Sequence, residues 1–351
     1  MKASANSEVS VAAKQAALAA LCSQEFGSKP VDASTSVPAS IHSDASGEGH
    51  RAFYFAGDEL ASLGGAVRWA LVQGASELHL LSQDGVGNDI ARRADYLETP
   101  FSLHVWALTG GAFAPLQPTA LAPLPTLPAS HRAFAPLIEE AGARAVDDHG
   151  RLIAEVKGLE VARVTEITPS PDDCGSTLAV LEIGVGQADR ELHQMIHVPA
   201  ADALEQQADH DALLPRLTKV VDDVNGMRDV VGDHPLRRVG QQRWIRSILL
   251  DRPEIVGASA LTAEPPLRPR DTVLGTEASA ATGALVDGAP VVVVCTAGVD
   301  LDIAAEAGDY LHRANKNAQL IVVAPERDLY LVDPIVSEVL PGVRVLAAPG
   351  L

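Results

Sequence analysis

Two continuous apolar runs near the end of the chain constrain the fold most. The stretches APVVVVCTAG, residues 289–298, and AQLIVVAPE, residues 318–326, hold strand-length apolar segments without polar alternation. Strands of this kind are buried on both faces, which is typical of a parallel sheet covered by helices. A helical segment, VDLDIAAEAGDYLHRAN, separates them, and a further helix and the strand VRVLAAP follow. The sequence therefore predicts a parallel β/α unit over residues 286–351.

A second unit of this kind is predicted near the start of the chain. Residues 51–113 alternate strand-like and helix-like segments, RAFYFAG, LASLGGAVRWALVQ, ELHLLS, NDIARRADYLE and FSLHVWALT. This alternation predicts parallel strands joined by right-handed crossovers. A proline recurs every few residues over 114–130, which excludes a helix or a central strand and predicts a linker.

The middle of the chain predicts a third domain. Residues 131–261 begin with the helical segment HRAFAPLIEEAGA, continue with three or four strands joined by tight turns, and end in helices. Tight turns favour antiparallel pairing. A Pro- and Gly-rich linker is predicted at 262–285, and an N-terminal helix with a flexible arm at 1–50. The predicted fold class is α/β, with parallel β/α units at both ends of the chain and a central α+β domain.

The composition constrains partners and compartment. The 351 residues include 27 basic and 46 acidic side chains, and the net charge of −19 repels nucleic acid and anionic membranes at long range. Cys22, Cys174 and Cys295 are far apart in the sequence, which predicts free thiols in a cytoplasmic protein. No apolar run reaches the roughly 18 residues of a membrane span, so we expect no membrane partner.

The segment DDHGRLIAEVKGLEVARV, residues 147–164, combines strand-like alternation with an unusual density of charge. Asp148, Glu155 and Lys157 follow the pattern D-x(n)-E-x-K, and residues two apart in a strand point to the same face. Two carboxylates and an amine on one face can hold Mg²⁺ and orient a water for phosphodiester attack. Asp148 and Glu155 are the metal ligands that this hypothesis predicts.

The same order of groups resembles a known family. A helix with Glu139 and Glu140, then a strand acid, then E-x-K resembles the PD-(D/E)XK superfamily of restriction-endonuclease-like nucleases over residues 131–185. The resemblance implies a restriction-endonuclease-like central domain and a Mg²⁺-dependent nuclease, active or degenerate, that acts on nucleic acid. Val146-Asp147 stands where the family has Pro-Asp.

Two other interpretations of these charges stay open. A shifted register uses Glu160 and Glu182, which stand in apolar strand context where a carboxylate is harder to explain as a solvated face. That register contains no lysine. The whole segment is also explained by an ordinary charged hairpin that binds no metal.

One basic cluster offers a surface for nucleic acid. The stretch PLRRVGQQRWIRSILLDR, residues 235–252, predicts a helix with Trp244 on its apolar stripe. The side chains available for phosphate contacts are Arg237, Arg238, Arg243 and Arg246. The alternative is a solvated helix face whose arginines pair with the many acidic residues of the chain.

Weaker patterns point to other ligands. His193 and His197 stand four residues apart, a spacing that binds zinc on a helix. Gly85, Gly87, Gly184 and Gly186 lie in turns that can bind a phosphate. Asp300 and Asp302 follow the end of a strand, where α/β sheets often bind ligands.

Two functional hypotheses follow. The first is the nuclease-like protein, and the second is a non-catalytic nucleotide-binding or scaffold protein. Strand carboxylates that converge within ~5 Å in an open cleft would favour the nuclease. Separated carboxylates, with a pocket at the Gly85 turn or beside Asp300, would favour the binding protein. The chain as a whole looks like a member of a conserved bacterial protein family, a resemblance that implies a cytoplasmic α/β protein and no particular activity.

Overall fold

The computed structural model describes residues 11–27, 32–34, 40–45, 49–57, 63–82, 86–167, 178–186, 203–229, 235–270, 275 and 277–348. This part of the chain is mixed α/β and contains three sheets. The chain divides into two compact units. The first comprises residues 1–121, 301–309 and 331–342, and the second comprises residues 122–300, 310–330 and 343–351.

The first unit contains a six-stranded sheet with strands in sequence order. Its strands are β1 (Asp32–Ser34), β2 (Ser40–Ala45), β3 (Gly49–Gly57), β4 (Glu77–Ser82), β5 (Ser102–Thr109) and β6 (Ala112–Pro115). Its first three helices are α1 (Val11–Phe26), α2 (Leu63–Gln73) and α3 (Gly87–Asp95). As predicted, β3, β4 and β5 are parallel and α2 and α3 connect them, while β1, β2 and β6 pair antiparallel.

Helix α1 lies in the N-terminal segment for which a helix is predicted, and strands occur in the segment predicted as a flexible arm. Leu18, Leu21 and Cys22 of α1 are fully buried against Phe53 and Leu81 of the first sheet. The described parts of residues 28–50 form β1, β2 and the start of β3, so that range is not only a linker. The sequence of this range shows no clear apolar alternation. Its strands are held by backbone pairing, β1 with β2 and β2 with β3.

The second unit begins with the antiparallel sheet that the sequence predicts. Its strand order is β10-β9-β8-β7. Its elements are α4 (Ala129–Arg132), α5 (Ala135–Glu140), β7 (Arg144–Asp147), β8 (Leu152–Val156), β9 (Leu159–Ile167), β10 (Leu178–Ile183) and α6 (Ala203–Asp229). One face of the sheet packs through Ala154 and Val161 into an aliphatic core with Leu217 and Val221 of α6. The restriction-endonuclease likeness of this domain stays a hypothesis.

The third sheet contains the parallel strands predicted at the end of the chain. Its strands, in spatial as in chain order, are β11 (Ala258–Ala263), β12 (Ser279–Leu285), β13 (Pro290–Cys295), β14 (Gln319–Pro325) and β15 (Arg344–Ala348). The remaining helices are α7 (Gln241–Asp251), α8 (Ile303–Ala314) and α9 (Leu329–Ser337), with 3₁₀ turns at Pro235–Arg237, Pro253–Val256 and Glu326–Asp328. Strands β13, β14 and β15 are parallel, and Val291 to Val294 are at most 1% exposed. The two parallel units lie in separate sheets.

The predicted linker at 262–285 is wrong in its second half. Residues Ser279–Leu285 form β12, which pairs antiparallel with β13. A Cβ atom on Gly283 would lie 2.0 Å from the carbonyl oxygen of Ala260, so the glycine permits the close approach of β11 and β12. The small residues that suggested a linker are therefore required by strand packing. In the segment predicted as the earlier linker, 114–130, residues 116–128 are irregular and largely exposed, between the end of β6 at Pro115 and the beginning of α4 at Ala129.

The predicted C-terminal domain, 286–351, is not one unit. Residues 301–309 and 331–342 belong to the first unit. Asp302 there accepts a hydrogen bond from the backbone N–H of Gly64 at 2.8 Å, at the beginning of α2. Asp309 accepts from Arg92 Nε at 3.2 Å and from Arg93 Nε at 2.7 Å. Polar contacts between residues more than 200 positions apart thus complete the first unit, and no local pattern predicts them.

Two features of the described chain bear on environment. Within the described ranges, no helix combines the length and the apolar character needed to cross a membrane. Cys22 and Cys295 are buried free thiols, as predicted for these two, and Cys174 lies outside the described residues.

Candidate functional site

The charged strand β8 is buried on both of its faces. Leu152, Ala154 and Val156 point into the aliphatic core beneath α6. Glu155 points to the opposite face and is only 3% exposed. Neither a solvated hairpin nor an open metal cleft fits this position, because a buried carboxylate needs a charged or hydrogen-bonding partner in the interior.

The partner of Glu155 comes from α7. Arg246 Nη2 donates to Glu155 Oε2 at 2.7 Å, and the Arg246 side chain is 0% exposed. Burial acts to raise the pKa of Glu155, but Arg246 and then Arg243 outweigh it, so that pKa lies below its usual range. Glu155 is therefore an ionised carboxylate held by a guanidinium.

Two of the other predicted carboxylates, Glu160 and Asp148, also have an arginine as counter-ion. Arg163 donates to both oxygens of Glu160, at 2.5 and 2.8 Å. Arg270 Nη1 lies 3.5 Å from Asp148 Oδ1. Burial, with the nearby charge of Glu160, raises the pKa of Asp148 although Arg270 acts against the shift. We call this group the arginine–carboxylate layer; its members are Asp148, Glu155, Glu160, Arg163, Arg243, Arg246 and Arg270.

Lys157 corrects the predicted E-x-K arrangement. Strand β8 ends at Val156, and Lys157 and Gly158 form a two-residue hairpin turn with φ angles of 45° and 81°. Two left-handed residues in succession define a type I′ turn. Lys157 therefore does not share a strand face with Glu155, and its Nζ instead binds the carboxylate of Asp229.

Glu182, the second carboxylate of the shifted register, lies at the margin of the layer. It is partly exposed on β10, opposite Arg163 of β9, and it accepts a hydrogen bond from Thr165 Oγ1 at 3.1 Å. Arg163 therefore stands beside both Glu160 and Glu182, whose charges help to raise its pKa. A guanidinium occupies the position that a cation would need.

These contacts do not fit a Mg²⁺ site of the nuclease type. Each of Asp148, Glu155 and Glu160 lies in the interior with an arginine as its counter-ion, whereas Mg²⁺ is bound by carboxylates in a site that keeps several waters. Over the described part of the chain, no group of three or more Asp, Glu, His or Cys side chains is arranged to hold a metal ion. The magnesium assignment stays a prediction from the sequence.

The basic helix corrects the predicted nucleic-acid surface. Arg243 and Arg246 are 3% and 0% exposed, so phosphate cannot reach them in this arrangement. The guanidiniums of Arg237 and Arg228 lie 5.4 and 4.4 Å from the centroid of the Trp244 ring, a cation–π geometry. Arg238 is the exposed member of the predicted set, and Arg237 is partly exposed.

A cavity lies at the beginning of α7. The sequence did not predict it, because its lining residues come from separate segments of the chain. Its volume is 320 Å³. Its walls are Arg238, Val239, Gly240, Gln241, Gln242, Gly275, Ala297, Gly298, Arg327 and Asp328. We call it the α7 cavity. Ala297 and Gly298 follow β13, and Arg327 and Asp328 follow β14, so the cavity lies at the carboxyl ends of two adjacent parallel strands, where α/β sheets bind ligands.

The beginning of α7 forms one wall of the α7 cavity. Gly240 precedes α7 with φ 60°, and it has no side chain that could cap the helix. The first N–H groups of a helix have no intrahelical acceptor, and the helix dipole adds partial positive charge there. A Cβ on Gly240 would lie 2.9 Å from Arg243 Nη2, so glycine also allows the layer to pack behind the cavity.

Side chains hold the other walls in place. Arg327 Nη2 donates to Gln241 Oε1 at 2.7 Å, and Gln241 Nε2 donates to the Arg237 carbonyl at 3.1 Å. Asp328 Oδ2 accepts from the Gly298 N–H at 2.8 Å, which joins the loops after β13 and β14. Arg238 and Arg327 thus line the cavity together with a single carboxylate, Asp328, whose Oδ1 lies 3.7 Å from Arg327 Nε.

The remaining sequence candidates are distributed as follows. His193, His197 and Gly85 lie outside the described residues. Gly184 donates its N–H to the Val161 carbonyl at 2.8 Å, so this N–H is used in the sheet. Asp302 caps α2 in the first unit, whereas the Asp300 loop begins with the cavity residues Ala297 and Gly298. The pattern at Asp300 lies beside the α7 cavity.

A second buried polar group lies in the first unit. The Trp106 indole donates to His79 Nδ1 at 3.2 Å, and His79 Nε2 lies 3.1 Å from Glu77 Oε2. An indole N–H can only donate, so Nδ1 of His79 accepts and Nε2 carries the proton. Burial lowers the pKa of His79 to about 4, although Glu77 acts against the shift. The imidazole is therefore neutral at physiological pH.

Comparisons with known proteins add no name to these sites. No protein-family model, no curated protein and no solved structure matches the chain.

Proposed function

We propose that this protein binds a phosphate-bearing small molecule in the α7 cavity and acts as a binding module. The observation that supports this proposal most is the joint position of Arg238, Arg327 and the beginning of α7 around one cavity. Guanidiniums and helix N–H groups are the donors that recognise phosphate oxygens. The place of the cavity, at the carboxyl ends of β13 and β14, adds a second and independent argument.

The dimensions of the cavity suit a small ligand. Its 320 Å³ lies at the lower end of the roughly 300–1,000 Å³ found for small-molecule sites. Among the described residues that line it, the ionisable side chains are Arg238, Arg327 and Asp328, and Asp328 is bound to the Gly298 N–H. This set can hold an anion, but it offers no free general base, which favours binding over catalysis.

The nuclease hypothesis has less support. Its carboxylates lie in the interior and face Arg163, Arg246 and Arg270, so an incoming phosphodiester would meet neither a free carboxylate nor an open cleft. Its lysine binds Asp229. The α7 cavity, which lies beside the Asp300 loop, supports the binding hypothesis instead.

The proposal is tested by calorimetric titration with inorganic pyrophosphate at low ionic strength. We expect saturable binding that weakens as salt is added, because the contacts are between opposite charges. The double variant Arg238→Ala/Arg327→Ala should lose at least about tenfold in affinity, since each charge-assisted hydrogen bond contributes about 1.5–3 kcal/mol.

A matched control is Arg344→Ala. Arg344 is exposed and begins β15, so it lies at the amino edge of the same sheet, opposite the carboxyl ends that line the cavity. This variant removes the same charge and should bind pyrophosphate like the wild type. Absence of binding by the wild type, or equal losses in the double variant and in Arg344→Ala, would overturn the proposal.

A further inference from the structure

Two exposed apolar side chains lie on the loops that form the α7 cavity. Tyr330 is 74% exposed and Val299 is 65% exposed. Val299 follows the cavity residue Gly298, and Tyr330 comes two residues after the cavity residue Asp328. The hydrogen bond from Gly298 to Asp328 joins these two loops.

The helical geometry places Tyr330 next to a cavity wall. The 3₁₀ turn Glu326–Asp328 continues without a break into α9, which begins at Leu329. Residues three apart on such a helix are neighbours on one face, and Arg327 and Tyr330 are three apart. Tyr330 therefore lies on the same side of this helix as Arg327, the residue that we assign to phosphate binding.

The exposure of Tyr330 is unusual within this chain. The protein has only four tyrosines, and Tyr310, on α8, is 2% exposed and donates to the Ala278 carbonyl at 3.2 Å. An aromatic ring in water beside a cation-lined cavity is the arrangement by which proteins stack nucleic-acid bases, since every base presents a π-face to a ring. Sugar phosphates and inorganic phosphates have no group that would use it.

We infer that the ligand of the α7 cavity is a nucleoside phosphate, whose phosphate is held by Arg327, Arg238 and the beginning of α7 and whose base stacks on Tyr330. This inference rests on the proposed phosphate binding and narrows its ligand class. The polar cavity holds the phosphate and sugar, and the base extends over the exposed ring, with Val299 contributing apolar contact from the facing loop.

The test compares adenosine diphosphate with pyrophosphate by calorimetric titration of the full chain. We expect the wild type to bind adenosine diphosphate more tightly, and Tyr330→Ala to lower that affinity by between about fivefold and a hundredfold, the range for loss of one base–aromatic stack. Pyrophosphate affinity should be the same in both proteins. Tyr330→Phe keeps the ring and should keep the affinity for the nucleotide.

A matched control is Val286→Ser. Val286 is 80% exposed in the turn between β12 and β13, at the sheet edge opposite the cavity, and its change should affect neither ligand. If both ligands bind equally well and Tyr330→Ala alters neither, the base assignment is overturned while phosphate binding stands. If neither ligand binds the wild type, the proposed function fails, and the base assignment fails with it.

Discussion

Arg246 of α7 donates a 2.7 Å hydrogen bond to Glu155 of β8, and the two side chains are 0% and 1% exposed. This pair explains why a buried strand carries so much charge. Glu155 is the counter-ion of Arg246 on α7, the helix that packs against this face of β8. Glu155 Oε1 and Arg246 Nε nevertheless have no hydrogen-bond partner among the described residues, so the pair is incompletely satisfied.

The first prediction concerns this pair. Arg246→Met removes the hydrogen-bonded counter-ion of the buried Glu155 and should lower the free energy of unfolding by about 3–5 kcal/mol. The double variant Glu155→Leu/Arg246→Met removes both charges and should be more stable than either single variant. Urea unfolding of all four proteins measures the cycle.

An exposed pair provides the control. Arg144 binds Asp251 at 2.6 Å, but the side chains are 34% and 65% exposed, and Arg144→Ala should cost less than about 1 kcal/mol. Equal costs for Arg144→Ala and Arg246→Met would contradict the view that burial makes the layer important for stability.

The second prediction concerns metal. Because arginines already neutralise Asp148, Glu155 and Glu160, thermal melts of the wild type should coincide with and without Mn²⁺. Glu155→Gln should melt at a lower temperature in both conditions, since Arg246 loses its counter-ion. A Mn²⁺-dependent rise in the melting temperature of the wild type that Glu155→Gln abolishes would instead support the nuclease-type site.

The third prediction concerns the hairpin between β8 and β9. A Cβ on Gly158 would lie 2.3 Å from the Trp244 nitrogen, and the residue has φ 81°. Gly158→Ala should therefore destabilise the protein by about 3 kcal/mol, through backbone strain and displacement of α7.

Gly288 separates these two causes. It has φ 86°, but nothing lies within 4 Å of its Cβ position, so Gly288→Ala carries the strain without the collision. We expect a cost of about 1–2 kcal/mol from urea unfolding. Similar losses of stability for Gly158→Ala and Gly288→Ala would show that α7 does not pack closely against Gly158.

The fourth prediction concerns His79. Its folded pKa is about 4, below its value of about 6.5 in an unfolded chain. As the pH falls from about 6.5 to about 4, the unfolded state gains a proton and the folded state does not, so about 3 kcal/mol of stability is lost over this window. In ¹⁵N NMR spectra, the His79 ring should keep the neutral form with the proton on Nε2 from pH 8 to pH 5. A ring that titrates near pH 6.5 in the folded protein would disprove the assignment.

Local patterns predicted the parallel strands correctly. The Val291–Val294 run and the segments around β3, β4 and β5 encode burial within a few residues. The partner of each charge was not predictable in this way, because Glu155 and Arg246 are 91 positions apart. Sequence alone also gave no reason to place Lys157 in a turn, since the left-handed conformation of a lysine depends on the glycine after it and on the packing of both strands.

The α7 cavity illustrates the same limit for function. The strand end near Asp300 was recognised as a place for a ligand, but Arg327 and Gln241 are 86 positions apart and meet only in the folded chain. The sequence PERD directly after the strand AQLIVVA could have indicated the cavity, because a charged turn follows a buried parallel strand there. Such turns are common, so only the cavity distinguishes this one.

The discontinuous first unit has a consequence during synthesis. Asp302 caps α2 across 238 positions, and Asp309 neutralises Arg93 across 216. A nascent chain that has emerged from the ribosome as far as residue 121 therefore has the strands of the first sheet, but its α2 is uncapped and Arg93 has no counter-ion from Asp309. Completion of this unit must wait until the second unit has been translated, which leaves the N-terminal sheet exposed to chaperones and proteases for most of translation.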